Sequence, residues 1–298
     1  MTAETMRPKL LVLGATGTVG KAVMQQLTAC GHGIRIGART PRAATPLCEP
    51  AMVDLQTGDG LAAALDGIRA LFLSTPDADW QGDAEHAITA AAARAGVQHV
   101  VKLSAVGADE GRYQLGRTHG AVEAAIRASG MAWTMLRPGA FMQNFATYYR
   151  HAIVEDGVLR LPCGTAPISF VDARDIARVA VLALTRPGHA GKSYTLLGPE
   201  PLTYQRALAL LAAETGVTAR YEAISEAAYR SAMAGTASTE TIDRLADLYG
   251  YYARGGAAGP GFDLGSLAGA AATGFRAFAR AASSDFSVSA RPITRVMP

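Results

Sequence analysis

Cysteine is scarce in this sequence, with three residues among 298. Cys30, Cys48 and Cys163 lack metal-ligand spacing, and their odd number argues against a disulfide framework, so neither a metal site nor cross-linking is expected. The polar start Met1–Pro8 precedes an apolar run with the pattern of a strand. We therefore expect no secretory signal, reduced cysteines and a cytoplasmic location.

Long apolar runs and basic clusters are missing as well. No apolar stretch reaches the roughly 20 residues that span a bilayer, so no membrane partner is expected. The formal net charge is only +3, and no run of lysine and arginine concentrates it. A nucleic-acid partner is therefore not expected either.

Three glycines at a spacing of three follow the first apolar run, Leu10–Leu13. Gly14 permits a tight turn, Gly17 allows the backbone to approach a pyrophosphate, and Gly20 allows the next helix to pack closely. The helix that starts near Val19 would direct its backbone amides at the phosphates. With a strand before it and a helix after it, the motif predicts dinucleotide binding rather than a structural turn alone.

No acidic residue follows the second predicted strand, Ile34–Ala38, where an NAD-selective site carries Asp or Glu for the ribose 2′-hydroxyl. Arg39, Thr40 and Arg42 are found there instead. A guanidinium makes charge-assisted hydrogen bonds to phosphate, so the predicted cofactor is NADP(H). The alternative is that Arg39 is an ordinary solvated arginine.

Further cofactor contacts are expected where later strands end, because parallel strands deliver ligand contacts at their carboxyl ends. Asp54, in the segment that ends the third predicted strand, can accept a hydrogen bond from the adenine amino group. Phe141 and Met142 are expected to pack against the nicotinamide or the substrate, with core packing as the alternative. The predicted cofactor-binding residues are Gly14, Thr16, Gly17, Thr18, Val19, Arg39, Asp54, Leu55, Ser74, Thr75, Pro76, Pro138 and Phe141.

Strand and helix patterns alternate through about residue 140, and hydrophobic residues make up 49% of the chain. This alternation predicts an α/β fold, a Rossmann-like doubly wound parallel sheet, with a smaller, mostly helical C-terminal region for substrate. We expect an NADP-binding core over residues 1–150 and a substrate-binding region over 151–282 that is interleaved with the core. Residues 283–298 are expected to be a flexible tail.

Several motifs together resemble the NmrA-like branch of the atypical short-chain dehydrogenases/reductases, over about residues 9 to 250. They are the glycine motif at 14–20, Arg39, and the runs LRPGAFMQN at 136–144, FVDARDIA at 170–177 and GPEPLT at 198–203. The resemblance implies NADP(H) binding. That branch includes NADPH-dependent quinone and dye reductases, ketoreductases of antibiotic pathways and non-enzymatic redox sensors, so the resemblance leaves catalysis open.

The tyrosine of the superfamily's Tyr-x-x-x-Lys motif is absent. When the predicted helix is aligned on Glu123, His119 occupies the lysine position and Leu115 the tyrosine position. Tyr113 and Arg117 form a similar pair two residues out of register, which rotates a helical side chain by about 200°. Tyr113 is therefore not expected to be the proton donor.

Hydride addition to a carbonyl or quinone creates an oxyanion that must be stabilised and protonated. Ser104, at the end of the fifth predicted strand, is the candidate hydroxyl for the carbonyl. His119 is a candidate proton relay because its ordinary pKa is near 6.5, with cofactor binding as the alternative. Lys102 lies on the same strand face as Ser104 and is either an electrostatic helper or a salt-bridged lysine.

Without the tyrosine, the proton must come from the substrate or from water. We therefore predict an NADPH-dependent oxidoreductase for an aromatic polycyclic ketone or quinone, because such acceptors need little acid assistance. Analogy favours a ketoreductase of aromatic polyketide (angucyclinone-type) antibiotic pathways. The alternative is a non-enzymatic NADP(H)-sensing regulatory protein. The expected partner is a small aromatic molecule, bound by a monomer or a homodimer.

Aromatic residues are sparse, at 7%, but six of them fall in one C-terminal stretch around a glycine pair. We predict a lid at 240–282 that hinges at Gly255-Gly256 and lays aromatic faces on a flat ligand. A single helix is expected over Leu264–Ala282. The alternative is that the segment closes the core. The six aromatic residues are Tyr249, Tyr251, Tyr252, Phe262, Phe275 and Phe278.

Overall fold

The computed structural model describes residues 9–40, 43–260 and 264–287, and the chain divides into two compact units. Unit 1 comprises the described residues up to Asp109, Thr118–Arg137 and Ile176–Tyr194. Unit 2 comprises Glu110–Arg117, Pro138–Asp175 and the described residues from Thr195 onwards. The chain therefore passes several times between the two units, while the assignment of residues 1–150 to the cofactor and of 151–282 to the substrate stays a prediction.

Nine strands lie in the described residues. They are β1 (Leu10–Leu13), β2 (Ile34–Ala38), β3 (Cys48–Met52), β4 (Ala70–Leu73), β5 (His99–Leu103), β6 (Ala132–Pro138), β7 (Val158–Leu161), β8 (Lys192–Leu196) and β9 (Arg220–Ala223). Seven of them form one sheet in the order β3-β2-β1-β4-β5-β6-β8, while β7 pairs in parallel with β9.

The pairings from β3 through β6 are all parallel. The strand order reverses beside β1, and ligands of such sheets bind at this switch point, outside the carboxyl ends of the strands. Leu13 lies opposite Gly37 of β2, and Val12 lies opposite Phe72 of β4. The loops after β1, β2 and β4 therefore start at the same edge. This arrangement confirms the predicted Rossmann-like doubly wound sheet.

Eleven α-helices lie in the described residues, and none of them is both long and apolar enough to cross a membrane. Side-chain hydroxyls fix where three of them begin, since Thr203, Ser225 and Ser238 each accept a hydrogen bond from a backbone amide of the first turn. The helices are α1 (Thr18–Ala29), α2 (Leu61–Leu65), α3 (Gln81–Arg94), α4 (Gln114–Ala128), α5 (Arg150–Val154), α6 (Ala173–Thr185), α7 (Tyr204–Thr215), α8 (Glu226–Met233), α9 (Thr239–Ala253), α10 (Leu264–Ala268) and α11 (Phe275–Ala281).

Two elements differ from the sequence-based expectation. The third strand ends at Met52, so Asp54 and Leu55 lie in the loop after it. The single helix expected over 264–282 is instead the pair α10 and α11. Gly269 follows α10 with a φ of 69°, a left-handed conformation that ends a helix.

The apolar core of unit 1 lies between the sheet and its covering helices. Leu11 and Leu13 of β1 and Leu71 and Leu73 of β4 are completely buried in one cluster. The same cluster takes apolar side chains from α2, α3 and α4, which are Leu61, Ala64, Leu65, Ile88, Ala92, Val122 and Ile126. Burial of this surface holds α3 and α4 against the strands whose carboxyl ends form the candidate site.

Aromatic side chains form the core of unit 2. The ring of Phe145 lies between 4.9 and 5.8 Å from the rings of Tyr149, Phe170, Tyr204 and Phe275, centroid to centroid. Three of these contacts are edge-to-face, the geometry that aromatic pairs favour. The C-terminal helix α11 is thus packed into this core through Phe275.

The aromatic residues assigned to a lid are buried by contacts within unit 2. Phe275 has no exposed surface, and the ring of Tyr251 stacks on that of Tyr113 at 4.4 Å. Phe262 lies outside the described residues. These contacts correct the expectation of open aromatic faces and favour the alternative that the segment closes a core, while a hinge at the glycine pair stays a prediction.

The described part of the expected tail is folded. Residues 283–286 form a 3-10 turn, and Phe286 is completely buried. The guanidinium of Arg150 donates hydrogen bonds to the backbone carbonyls of Asp285 and Ser287, at 2.6 and 2.9 Å. A buried aromatic ring and a buried arginine therefore fix this segment to unit 2.

Replacing Phe275 with alanine is expected to lower the free energy of unfolding by about 3–5 kcal/mol, because it opens a cavity among packed rings. The measurement is chemical denaturation followed by circular dichroism. The control is Tyr148→Ala, at a residue that is 43% exposed, and its loss of stability should be clearly smaller than that of the Phe275 variant. Unchanged stability in the Phe275 variant, together with weaker binding of large ligands, would instead support the predicted lid.

Candidate functional site

The loop after β1 lies so close to the residue after β4 that there is no room for a side chain at Gly14. Gly14 has a φ of 75°, and a Cβ added there would overlap the carbonyl oxygen of Ser74. Only glycine fits such a position without strain. The tight turn expected at Gly14 is therefore present, and it brings Ser74 beside the glycine loop.

Gly17 and Gly20 shape the start of α1. Gly17 is the residue that precedes the first turn of α1, its amide donates to the Gly14 carbonyl at 3.0 Å, and no side chain caps the helix. A Cβ at Gly20 would overlap the Gly14 carbonyl oxygen, so this glycine packs the helix against its own loop. The first turn also carries no acidic residue. Its uncapped amides and positive dipole end thus suit a phosphate.

The residues expected to contact the adenosine half lie after β2 and β3. Arg39 is exposed, and no ion pair or hydrogen bond joins its side chain to another described residue. Asp54 accepts amide hydrogen bonds from Gln56 and Thr57 on one carboxylate oxygen, which fixes its loop. Arg42 lies outside the described residues. Arg39 is therefore available to a ligand, and Asp54 is already ordered.

Thr75 follows β4 but is held by other side chains. Its hydroxyl donates to Oε1 of Glu85 at 2.8 Å, and Gln81 donates to the same hydroxyl at 3.3 Å. Ser74 and Thr75 are half-buried and Pro76 is exposed. Hydrogen bonds from Thr75 therefore fix the segment after β4 to α3. The Thr75 hydroxyl already donates to Glu85, so this segment offers a ligand its backbone groups instead.

Lys102, the fourth residue of β5, is completely buried and fully engaged. Its ammonium donates to Oε1 of Glu85 at 3.0 Å, to the carbonyl of Leu103, and to Nδ1 of His119, which lies 3.2 Å away. An ammonium has three protons, and all three have acceptors. Of the two roles expected for Lys102, electrostatic helper or salt-bridged lysine, the structure shows the second. All of its hydrogen-bond donors are occupied, so none is available to a substrate.

His119 is 94% buried on α4 and is uncharged at neutral pH. Burial, and then the neighbouring charge of Lys102, hold the pKa of His119 well below its usual value of 6.5. Because Lys102 can only donate, Nδ1 accepts and the ring proton lies on Nε2. No hydrogen bond joins this Nε2 to a described residue. His119 is thus a neutral donor and not the protonated acid that its ordinary pKa suggested.

Ser104 is directed into a second buried network. Its hydroxyl donates to Oε1 of Glu123 at 2.6 Å, and Arg137 binds the same carboxylate through two hydrogen bonds of 2.9 and 2.6 Å. Burial alone would raise the pKa of Glu123, but the hydrogen bonds from Arg137 and Ser104 keep it below its usual value. This corrects the expectation that Ser104 donates a hydrogen bond to a carbonyl, because the Glu123 carboxylate already accepts that hydrogen bond.

Tyr113 belongs to unit 2 and is completely buried against Tyr251. Burial, and the neighbouring Tyr252 and Tyr251, raise the pKa of Tyr113 far above its usual value. A Cβ at Gly116, three residues later, would lie 2.6 Å from its ring. The sequence-based conclusion that Tyr113 does not donate the proton agrees with this packing.

Thr16 and Thr18 are exposed beside the glycine loop, and Val19 is buried in the first turn of α1. Two further predicted residues, Pro138 and Phe141, lie in unit 2. Pro138 ends β6, and half-buried Phe141 forms an isolated bridge with Val171. Met142 is completely buried, so it is a core residue and does not face a ligand. Phe141 stays a candidate contact.

Two carboxylates that organise the site were missed as functional residues. Glu85 lies in the alanine-rich helix α3, where no motif marks it. Glu123 lies in α4, where the sequence assigns it no role beyond marking the register of the Tyr-x-x-x-Lys positions. His119 and Glu123 are four residues apart, which places both on one face of α4. This spacing could have indicated that His119 and Glu123 belong to one site, but it does not identify the hydrogen-bond partners of either residue.

The model of the NmrA-like family matches residues 6–268. This chain belongs to the NmrA-like family. It is 37% identical over 246 residues to an NAD(P)H azoreductase of Xenophilus azovorans, covering 80% of this chain and 86% of that one. It is 40% identical over 230 residues to a (4-alkanoyl-5-oxo-2,5-dihydrofuran-3-yl)methyl phosphate reductase of Streptomyces griseus, covering 75% and 80%.

Among solved structures, an NADPH-dependent quinone oxidoreductase of Escherichia coli, complexed with NADPH, superposes with a TM-score of 0.81 at 26% identity. The match covers 91% of this chain and 98% of that one. This NmrA-like chain has the features such a dinucleotide needs, because its glycine loop leaves no room for a Cβ and its first helix turn is uncapped. The residues present therefore fit NADP(H).

Gly20→Ala is expected to weaken NADPH binding at least tenfold, because the added methyl group displaces the Gly14 carbonyl and with it the phosphate loop; a shift worth about 1.4 kcal/mol suffices for this. Isothermal titration calorimetry measures the affinity. The control is Gly33→Ala, since a Cβ at Gly33 meets nothing within 4 Å. Equal affinities for both variants would mean that the glycine loop does not carry the cofactor.

Arg39→Asp is expected to weaken NADPH binding while sparing NADH, because it removes a charge-assisted contact to the 2′-phosphate and adds repulsion. Titrations of both cofactors measure the change in preference. Arg94→Asp makes the same charge change at the last turn of α3, on an exposed residue far along the helix from Glu85, and should leave the preference unaltered. A wild-type protein that binds NADH and NADPH equally would refute the role of Arg39.

Proposed function

We propose that this chain is an NADPH-dependent reductase that transfers a hydride to the carbonyl of an aromatic polycyclic ketone or quinone without a tyrosine acid. The observation that carries the proposal is the neutral, buried His119 at the carboxyl end of the sheet, held by Lys102 on one ring nitrogen and unpartnered among the described residues on the other. NADP(H) is the cofactor, and when bound it supplies the hydride.

The scarcity of available proton donors among the described residues of unit 1 supports this acceptor class. Tyr194 is the one tyrosine in the residues of unit 1, and it lies on β8, where its hydroxyl is 2.9 Å from His189. Lys102 and Ser104 already donate their hydrogen bonds to buried partners. A weak neutral donor such as Nε2 of His119 can polarise a carbonyl, but it does not replace a strong acid.

Acceptors that form stable anions need no strong acid. A hydroquinone anion is delocalised, and a polycyclic ketone beside a phenol carries its own proton source. An aromatic polyketide ketone of an antibiotic pathway would meet this requirement. The relatives named above are described as reductases of azo compounds, a quinone and a 5-oxo-dihydrofuran, which supports a conjugated acceptor over a simple aldehyde.

An NADPH-oxidation assay tests the proposal with 1,4-naphthoquinone, phenanthrenequinone, a hydroxylated tetracyclic ketone and an aliphatic aldehyde. Turnover is expected with the conjugated acceptors and not with the aldehyde. Tyr113→Phe should retain kcat within about twofold, whereas loss of a general acid costs about 10²- to 10⁴-fold. Product analysis by mass spectrometry identifies the reduced carbonyl.

Two results would contradict the proposal. A Tyr113→Phe variant that binds NADPH but has lost turnover would make Tyr113 the acid. Tight NADP(H) binding with no turnover of any acceptor would favour the non-enzymatic sensor of the cofactor's redox state.

A further inference from the structure

Glu85 is a buried carboxylate that the proposed chemistry does not yet use. It has no exposed surface, and its Oε1 accepts both the Thr75 hydroxyl and the Lys102 ammonium. Its Oε2 is buried without any hydrogen-bond partner. Burying a charged oxygen without a partner is costly, so the position of this carboxylate calls for an explanation.

Lys102 provides the link between Glu85 and the imidazole. A lysine with no solvent contact keeps its charge only beside a compensating carboxylate, and Glu85 lies 3.0 Å from its nitrogen. The charged form has protons but no lone pair, so Nδ1 of His119 must accept from it. A neutral amine could donate or accept, and it would leave the tautomer of the ring undecided.

We propose that Glu85 and Lys102 are a positioning pair that locks His119 as a neutral donor with its proton on Nε2. This inference rests on the proposed function, because the locked Nε2 proton is the one offered to the acceptor oxygen. Both members of the pair have no exposed surface. The pair acts through the imidazole, and the three residues come from α3, β5 and α4, so the tautomer depends on how these elements pack in unit 1.

The competing explanation is a structural ion pair that only joins the two helices to the strand. A variant at Thr89 distinguishes the positioning role from a purely structural role. Thr89 lies one turn after Glu85 on α3, is 4% exposed, and its hydroxyl donates to the Glu85 backbone carbonyl rather than to the carboxylate. Thr89→Val therefore removes a buried hydrogen bond from the same helix turn without touching the side chains that set the tautomer.

The tautomer is measured directly by two-bond ¹H–¹⁵N NMR spectra of the imidazoles, in the absence of substrate. The chain has six histidines, and the signals of His119 are assigned as those missing from His119→Gln. The test variant is the double substitution Glu85→Gln with Lys102→Met, which removes both charges at similar volume and avoids an isolated buried charge. Circular dichroism and NADPH affinity show that the variant is folded.

The wild type and Thr89→Val should show one tautomer, with the proton on Nε2. The double variant should show a mixture of tautomers, a kcat lowered by about tenfold or more as expected for a misaligned donor, and a KM within about threefold of wild type. An Nδ1 proton in the wild type would overturn the inference. So would a pure Nε2 tautomer in the double variant, or an equal loss of kcat in Thr89→Val.

The two proposals fail separately. If His119 shows the locked tautomer and the double variant loses it, but no acceptor is reduced by the wild type, the lock stands and the proposed function fails. If acceptors are reduced while the wild-type tautomer is wrong, the positioning pair fails alone.

Discussion

The burial of charge at the carboxyl end of β5 is the constraint on which the candidate centre depends. Buried ions must be paired, and breaking such a pair typically costs about 3–5 kcal/mol. Here Glu85 pairs with Lys102, and Glu123 pairs with Arg137, all within unit 1. The first pair joins α3 to β5, and the second joins α4 to β6. The ion pairs therefore fix how these helices pack on the strands, and with it which side chains are neighbours in the candidate site.

These pairs also determine which protons are available. Ser104 and Lys102 would both be donors if their surroundings were solvent, but each faces a buried carboxylate and donates to it. What is left is the weaker donor, a neutral imidazole whose other nitrogen is occupied. Under the proposed function, a centre of this kind would suit acceptors that stabilise their own anions. The missing tyrosine is then part of a consistent chemistry and does not by itself indicate an inactive protein.

Cofactor binding depends on a different kind of constraint, which is the close approach of backbones. Gly14 meets the end of β4, and Gly20 meets Gly14, with no space for a Cβ at either position. Because these contacts involve only backbone atoms that are near in sequence or at the end of adjacent strands, a local glycine pattern suffices to predict them. The exposed position of Arg39 directly after β2 is likewise local in sequence, and its contact with the cofactor stays a prediction.

The sequence by itself determined the doubly wound sheet and the close-packed glycine loop, since each follows from local periodicity or spacing. The contact of Arg39 with a phosphate and the exclusion of Tyr113 as acid stay predictions. Only the tertiary structure decided the partners of Ser104, Lys102 and His119. Glu123, Glu85 and Lys102 lie on other helices or on β5, 17 to 19 residues away from the side chains they pair with, and no local rule encodes which buried charges meet. The aromatic residues after Tyr249 show the same limit, because composition revealed their concentration but only packing against Phe145 and Tyr113 assigned them to a core.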